Sequence, residues 1–169
     1  CGITGAFGYV DGPALDGMLE KLVHRGPDES GRYVSDEDGV MLGTRRLSIV
    51  DVEGGSQPIW NEDETVCVSF NGEIYNHERL REDLREAGHR FSTRCDTEVL
   101  VHLWEEHGTD LVAHVEGMFA FAIWDENRNS VFLARDRMGI KPLYYAEHDS
   151  GILWASELPS LLAAGVNKA

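Results

Sequence analysis

The sequence predicts an α+β fold of antiparallel sheets with helices packed on them. Three observations lead there. Strand-like and helix-like segments come in blocks, without the strict alternation that builds a parallel sheet. Residues 118–124, a polar turn at 125–129 and residues 131–134 read as a β-hairpin with a buried first strand. Leu15, Met18, Leu19 and Leu22 repeat at i, i+3, i+4 and i+7, the spacing of a helix face. The 169 residues suit one globular domain over 1–169 with a core of its own.

The opening stretch, residues 2–9, reads as a glycine-rich strand, where glycines mark close backbone approach or a bulge. The first helix follows, with Pro13 near its start. Strands are expected at 40–50, 65–71 and 89–93. A second helix carries Leu80, Leu84 and Ala87 on one face, with Asn76 as cap and Gly88 as stop. A third carries Val99, Leu100 and Leu103 and ends before Gly108. After the hairpin come a strand at 152–155 and a helix at 158–164. The end, Gly165-Val166-Asn167-Lys168-Ala169, has no terminating motif, which fits a fragment of something longer.

A formal net charge of −15 gives a surface that repels nucleic acid and anionic membranes, so neither is expected as a partner. No stretch approaches the ~20 apolar residues of a membrane helix, and no secretory signal is expected. The only lysines are Lys21, Lys141 and Lys168, against twelve arginines. That bias fits either a high-salt habitat or a GC-rich genome. Cys1, Cys67 and Cys95 form no C-x-x-C pair, and the seven histidines show no H-x-x-x-H or H-E-x-x-H spacing, so no metal site is expected. Three free thiols suggest a reducing compartment and a cytoplasmic location. Cys67 alternates with Val66, Val68 and Phe70 and reads as a small core residue.

The residue that points to chemistry is Cys1. A leading cysteine places its thiol, titrating near ~8.5, beside an α-amine whose ordinary pKa near ~7.7–8.0 makes it a base around neutrality. One residue then supplies both nucleophile and base. Trimming of preceding residues, lipidation after signal cleavage, or exposure by methionine removal are the competing explanations of a leading cysteine. Asn71-Gly72 is a strong turn dipeptide; it also offers a side-chain amide and a backbone N–H that could converge on an oxyanion. Asp96 is a helix N-cap or a partner for a substrate ammonium. In Arg45-Arg46-Leu47-Ser48-Ile49-Val50, strand alternation with Leu47 and Ile49 in the core would turn Arg46 the other way, solvated or forked onto a substrate carboxylate.

These residues fall in six runs: Cys1-Gly2-Ile3-Thr4-Gly5, His24-Arg25-Gly26-Pro27-Asp28, Arg46-Leu47-Ser48-Ile49-Val50-Asp51, Asn71-Gly72-Glu73-Ile74-Tyr75-Asn76, Asp96-Thr97-Glu98, and Arg135-Asp136-Arg137-Met138-Gly139-Ile140-Lys141-Pro142-Leu143-Tyr144. Together, in this order and across nearly the whole chain, they resemble class II glutamine amidotransferases. The pattern is closest to the N-terminal domain of glutamine-hydrolysing asparagine synthetases. Pro27 and Glu73-Ile74-Tyr75 separate it from hexosamine-phosphate synthases, and the His-Arg-Gly segment from purine-pathway amidotransferases.

The resemblance implies the N-terminal-nucleophile hydrolase fold, a four-layer αββα sandwich of two antiparallel sheets. It implies that Cys1 is nucleophile and base, and that Asn71 and Gly72 form the oxyanion hole. Arg46 would hold the carboxylate of L-glutamine and Glu73 and Asp96 its ammonium, with backbone groups around Leu47, Ile49 and Val50 lining the pocket. It implies no cofactor in this domain, and a synthetase domain or subunit using ATP and magnesium to receive the ammonia. That domain is expected after residue 169 and is not in this sequence. A homodimer is left open. Competing functions are a glutaminase domain serving another acceptor, a silent glutamine-binding regulatory module, and an N-terminal-cysteine hydrolase of other amides.

Overall fold

The computed structural model describes residues 1–47 and 55–166. Nine strands and four helices are formed among them. Strands β1 (Gly2–Phe7), β2 (Glu29–Ser35), β3 (Val40–Arg46), β8 (Tyr144–His148) and β9 (Gly151–Ala155) make one sheet in the order β2-β3-β1-β9-β8. Strands β4 (Ile59–Trp60), β5 (Val66–Ile74), β6 (Gly117–Asp125) and β7 (Ser130–Arg135) make the other in sequence order. Every pairing is antiparallel.

Strand alternation gives each sheet two buried faces. Val40 and Leu42 of β3, Cys67 of β5, Ala122 and Trp124 of β6, and Trp154 of β9 meet between the sheets. On the outer face of the first sheet, Ala6, Met41, Leu153 and Ala155 pack against Leu15, Met18 and Leu19 of helix α1 (Gly12–Glu20) and Leu161 of α4 (Leu158–Ala163). On the outer face of the second, Val66, Val68, Phe70, Phe121 and Ile123 pack against Leu80 and Leu84 of α2 (His77–Glu86) and Leu100 and Leu103 of α3 (Val99–His107). The layers therefore run α, β, β, α, as expected. Gly5 lies where any side chain would strike the Met41 carbonyl and the Trp154 ring, so its bare backbone lets the sheets close.

Several local expectations change. Residues 89–93 are not a strand. Their amides are taken by carboxylates: Arg90 N–H donates to Glu62 Oε1 (2.7 Å), Ser92 N–H to Glu98 Oε1 (2.7 Å) and Thr93 N–H to Glu98 Oε2 (2.7 Å). Asn76 holds the N-cap position of α2 as expected, and its carbonyl accepts from the Leu80 N–H (3.2 Å), but its side chain makes no cap bond and instead bridges the His114 carbonyl and the Glu116 N–H. Ala87 is exposed beyond the end of that helix. β3 stops at Arg46, and the rest of the expected strand to residue 50 lies outside the described residues. The edge strands β2 and β8 and the two-residue β4 were not read from the sequence. Both edge strands lack a clean apolar alternation.

Candidate active site

The buried gap between the sheets fixes which side chains can meet. Phe7, Gly5 and Ile3 of β1 share the parity of Cys1; Val40, Leu42 and Thr44 share that of Arg46; Cys67 and Ser69 share that of Asn71. Phe7, Val40, Leu42 and Cys67 all line the gap. Alternation therefore turns Cys1, Arg46 and Asn71 toward it as well.

They also lie at one end. Gln57 Oε1 accepts from the Phe70 N–H of β5 (2.6 Å) and from Thr44 Oγ1 of β3 (3.4 Å), tying the two sheets at one level. Thr44 pairs with Ile3 of β1. Leu42 and Cys67 meet further in, so β3 and β5 advance in the same direction. Cys1 stands two residues before Ile3, Arg46 two after Thr44, and Asn71 one after Phe70. The three are grouped where the gap opens.

Cys1 is held by reciprocal bonds. Its α-amine donates to the Arg25 carbonyl (2.8 Å), and Arg25 Nε donates back to the Cys1 carbonyl (2.9 Å). Arg25 Nη1 also pairs with Glu157 Oε1 (2.8 Å), on which His24 Nε2 closes at 3.0 Å. The Arg25 hydrogen bond holds the Glu157 carboxyl below its ordinary value. Burial is the first cause that lowers the pKa of the Cys1 amine below its usual 8.0, followed by the charges of Arg25 and Lys141. A lowered amine is a stronger candidate for a base at neutral pH, because more of it carries a lone pair.

Asn71 is buried at 2% exposure, and its Nδ2 has no hydrogen-bond partner among the described residues. Such a donor costs free energy to hide, about 1–3 kcal/mol. Ser69 Oγ and the indole nitrogens of Trp124 and Trp154 also lack a partner among the described residues; the two tryptophans belong to the interior of the gap, not its mouth. Gly72 follows at φ +152°, against β6, where a Cβ would strike the Met118 carbonyl and Phe119 Cα. Only glycine fits there.

Asp96 opens a 3₁₀ turn, and its carboxylate does not cap α3. Oδ2 accepts from the Ile74 N–H of β5 at 2.8 Å, which brings Asp96 beside Glu73 and Gly72. Glu73 is exposed at that edge. Arg46 is neither solvated nor turned from the core: it is buried, with Nη1 3.2 Å from Glu29 Oε2. Leu47 is 42% exposed, against the expected core position, because β3 has ended. Ile49 and Val50 lie outside the described residues.

The segment after β7 completes the mouth. Asp136 accepts the N–H groups of Ile140 (2.9 Å) and Lys141 (3.0 Å) and also that of Phe119 (3.2 Å), the residue paired with Gly72. Burial pushes the Asp136 carboxyl up, and these amides outweigh it and hold it below its ordinary value. Arg135 closes the same turn through the carbonyls of Gly139 and Lys141. Met138, at 84% exposure, and Ile140, at 59%, are left facing outward. The bracing roles of Arg25, Glu157 and Asp136 were not assigned from the sequence. Arg25 and Asp136 lie in its recognisable runs, whereas Glu157 carries no local signal.

Two antiparallel sheets between helical layers, with a cysteine heading the central strand at the mouth of the gap, make the architecture of the N-terminal-nucleophile hydrolases. The solved structure of glutamine phosphoribosylpyrophosphate amidotransferase from B. subtilis shares the fold, with a TM-score of 0.81 at 22% identity over 98% of this chain and 44% of that one. The family described as "Glutamine amidotransferase domain" matches residues 1–169, and the chain belongs to that family. It is 44% identical over 170 residues to "Asparagine synthetase [glutamine-hydrolyzing] 3" of Bacillus subtilis, covering 96% of this chain and 27% of that protein. It is 48% identical over 147 residues to "Asparagine synthetase [glutamine-hydrolyzing] 1" of the same organism, covering 87% and 23%. The chain thus spans about a quarter of the length of these relatives.

Proposed function

We propose that this domain hydrolyses L-glutamine to glutamate and ammonia through a γ-glutamyl thioester on Cys1, with Cys1 as the first residue of the mature chain. The carrying observation is the buried Asn71 amide, which has no hydrogen-bond partner among the described residues, at the mouth where Cys1 sits. A donor hidden without a partner is held ready for an acceptor that arrives with the reaction.

In this reading the Cys1 amine takes the thiol proton as sulfur bonds to the side-chain carbonyl carbon of glutamine. Asn71 Nδ2 and the Gly72 N–H receive the oxyanion. The amine then gives its proton to the departing nitrogen as the C–N bond breaks, and ammonia leaves. Water, activated by the same amine, cleaves the thioester and frees glutamate. Arg46 is the cation for the glutamine carboxylate, and Glu73 and Asp96 are the anions for its ammonium. Backbone groups around Leu47 line the pocket on the same side as Arg46. No metal or cofactor enters these steps.

The ammonia is passed to a synthetase domain of the asparagine synthetase kind, which uses ATP and magnesium. Relatives that carry this domain in about a quarter of their length support that reading. So does the exposed apolar pair Met138 and Ile140 on a rigid turn beside the mouth, which suits a docking face for that domain. No helix among the described residues is long and apolar enough to cross a membrane. The strong negative charge supports an enzyme that does not bind nucleic acid or anionic membrane surfaces, and the free thiols Cys1, Cys67 and Cys95 suit the cytoplasm. Replacing Cys1→Ala is expected to abolish glutamate release while leaving the circular dichroism spectrum unchanged; release at the wild-type rate would refute the assignment.

A further inference from the structure

On the other sheet edge, far from Cys1, four side chains from three segments converge. Glu62 lies in the turn before β5, His89 follows α2, and His102 and Glu105 lie on α3. Their ligand atoms all fall within 4.8 Å of one another. His102 Nδ1 is 3.4 Å from Glu62 Oε2 and 3.3 Å from Glu105 Oε2. His89 Nδ1 is 3.4 Å from Glu62 Oε1 and 3.6 Å from the same Glu105 Oε2. Spokes of about 2.0–2.1 Å from a tetrahedral centre leave their ends about 3.3–3.4 Å apart. Three of these spacings, at 3.3–3.4 Å, lie near that edge and the fourth is 3.6 Å, while the whole set stays within 4.8 Å, so small side-chain shifts would close it on one ion; all four run long for N–H···O hydrogen bonds, which centre near 2.9–3.0 Å.

The outer nitrogen of His89 already has its direction: Nε2 meets Glu106 Oε1 at 2.9 Å. The fully buried His102 Nε2 has no hydrogen-bond partner among the described residues, and Glu98 Oε1 stands 3.7 Å from it. With the N–H placed on Nε2, each ring turns a lone pair on Nδ1 toward carboxylate oxygens, an arrangement that a cation between them would stabilise. Carboxylates behind the histidines, and donors behind the carboxylates, are the outer shell that orients metal ligands. Here Asn61 Nδ2 donates to Glu105 Oε1 (3.0 Å) and Arg90 N–H to Glu62 Oε1 (2.7 Å).

We propose that Glu62, His89, His102 and Glu105 form a structural site for a divalent transition metal, zinc foremost, that pins α3 to the turn before β5 and the loop after α2. Two imidazoles and two carboxylates suit zinc and its neighbours over magnesium or calcium, which take oxygen. Four protein ligands close the coordination sphere, which marks a structural site. Glu62 and Glu105 retain 23% and 30% side-chain exposure, so an ion can enter without unfolding the core. The cluster sits at the Val66 end of β5, on the order of 20 Å along the strand from Gly72.

The test is zinc titration of chelator-stripped protein by calorimetry, with cobalt(II) absorption as a second readout. Cys1→Ala serves as the background, because a leading aminothiol itself chelates zinc. One zinc per chain is expected, with a rise in melting temperature and the visible bands of four-coordinate cobalt. His89→Gln and Glu105→Gln, both near the surface, are expected to fold and to bind zinc at least ~10-fold more weakly. The proposal is overturned if no stoichiometric zinc binds, as it would be were a protonated histidine pair to fill the cluster. It is equally overturned if both variants bind as tightly as their parent, or if magnesium or calcium binds as tightly as zinc.

Discussion

At Cys1 two opposing demands meet. The thiol must lose its proton, and the group that takes it must be neutral at working pH. Burial and the nearby charges of Arg25 and Lys141 lower the amine below 8.0, which favours the free base. In the proposed mechanism the active form is the deprotonated amine, so kcat/KM for glutamine should fall as pH drops through that lowered value. Lys141→Gln removes one of the causes and should move the acid limb to higher pH in a pH–rate profile; a limb that stays put would remove Lys141 from the account. Asn71→Ala should cut kcat by about 10²–10³-fold with a smaller change in KM, as for loss of one oxyanion donor. Gly72→Ala forces a Cβ onto the Met118–Phe119 backbone and should cost about 1–3 kcal/mol of stability in a denaturant titration.

At the scale of elements, β5 organises the site. Its inner face delivers Asn71, its end places Gly72 and Glu73, and its Ile74 amide fixes Asp96. Asp96→Ala should therefore raise the KM for glutamine and also loosen the 3₁₀ turn, a loss visible as faster amide exchange at Ile74. The hairpin β6–β7 and helices α1 and α3 were legible because apolar periodicity and turn residues agree along them. Residues 89–93 misled for an equally physical reason. Their alternation resembles a strand, yet Glu62 and Glu98 capture the amides a partner strand would need. Arg46 misled by assuming that β3 ran on to residue 50. The strand ends at Arg46, and that residue inherits the buried parity of Leu42 and Thr44. His89 and His102 stand thirteen residues apart, a separation no local metal motif describes, and only the packing of α3 on the turn before β5 joins them with Glu62.

For the whole molecule, two sheets closed by helices leave a mouth, and Cys1, Arg46, Asn71, Gly72, Glu73 and Asp96 are grouped toward it. The order of motifs along the chain was readable from the sequence; the convergence of β1, β3, β5 and the 136–141 turn was not, since it depends on how the sheets face one another. The central claim is that the leading sulfur carries the glutamyl group. It is tested most directly by mixing the protein with glutamine, quenching in acid within the first turnovers, and weighing the intact chain. Expected are a mature chain starting at Cys1, a γ-glutamyl adduct localised to that residue, and no adduct in Cys1→Ala. An adduct elsewhere, or hydrolysis continuing in that variant at the wild-type rate, would contradict it.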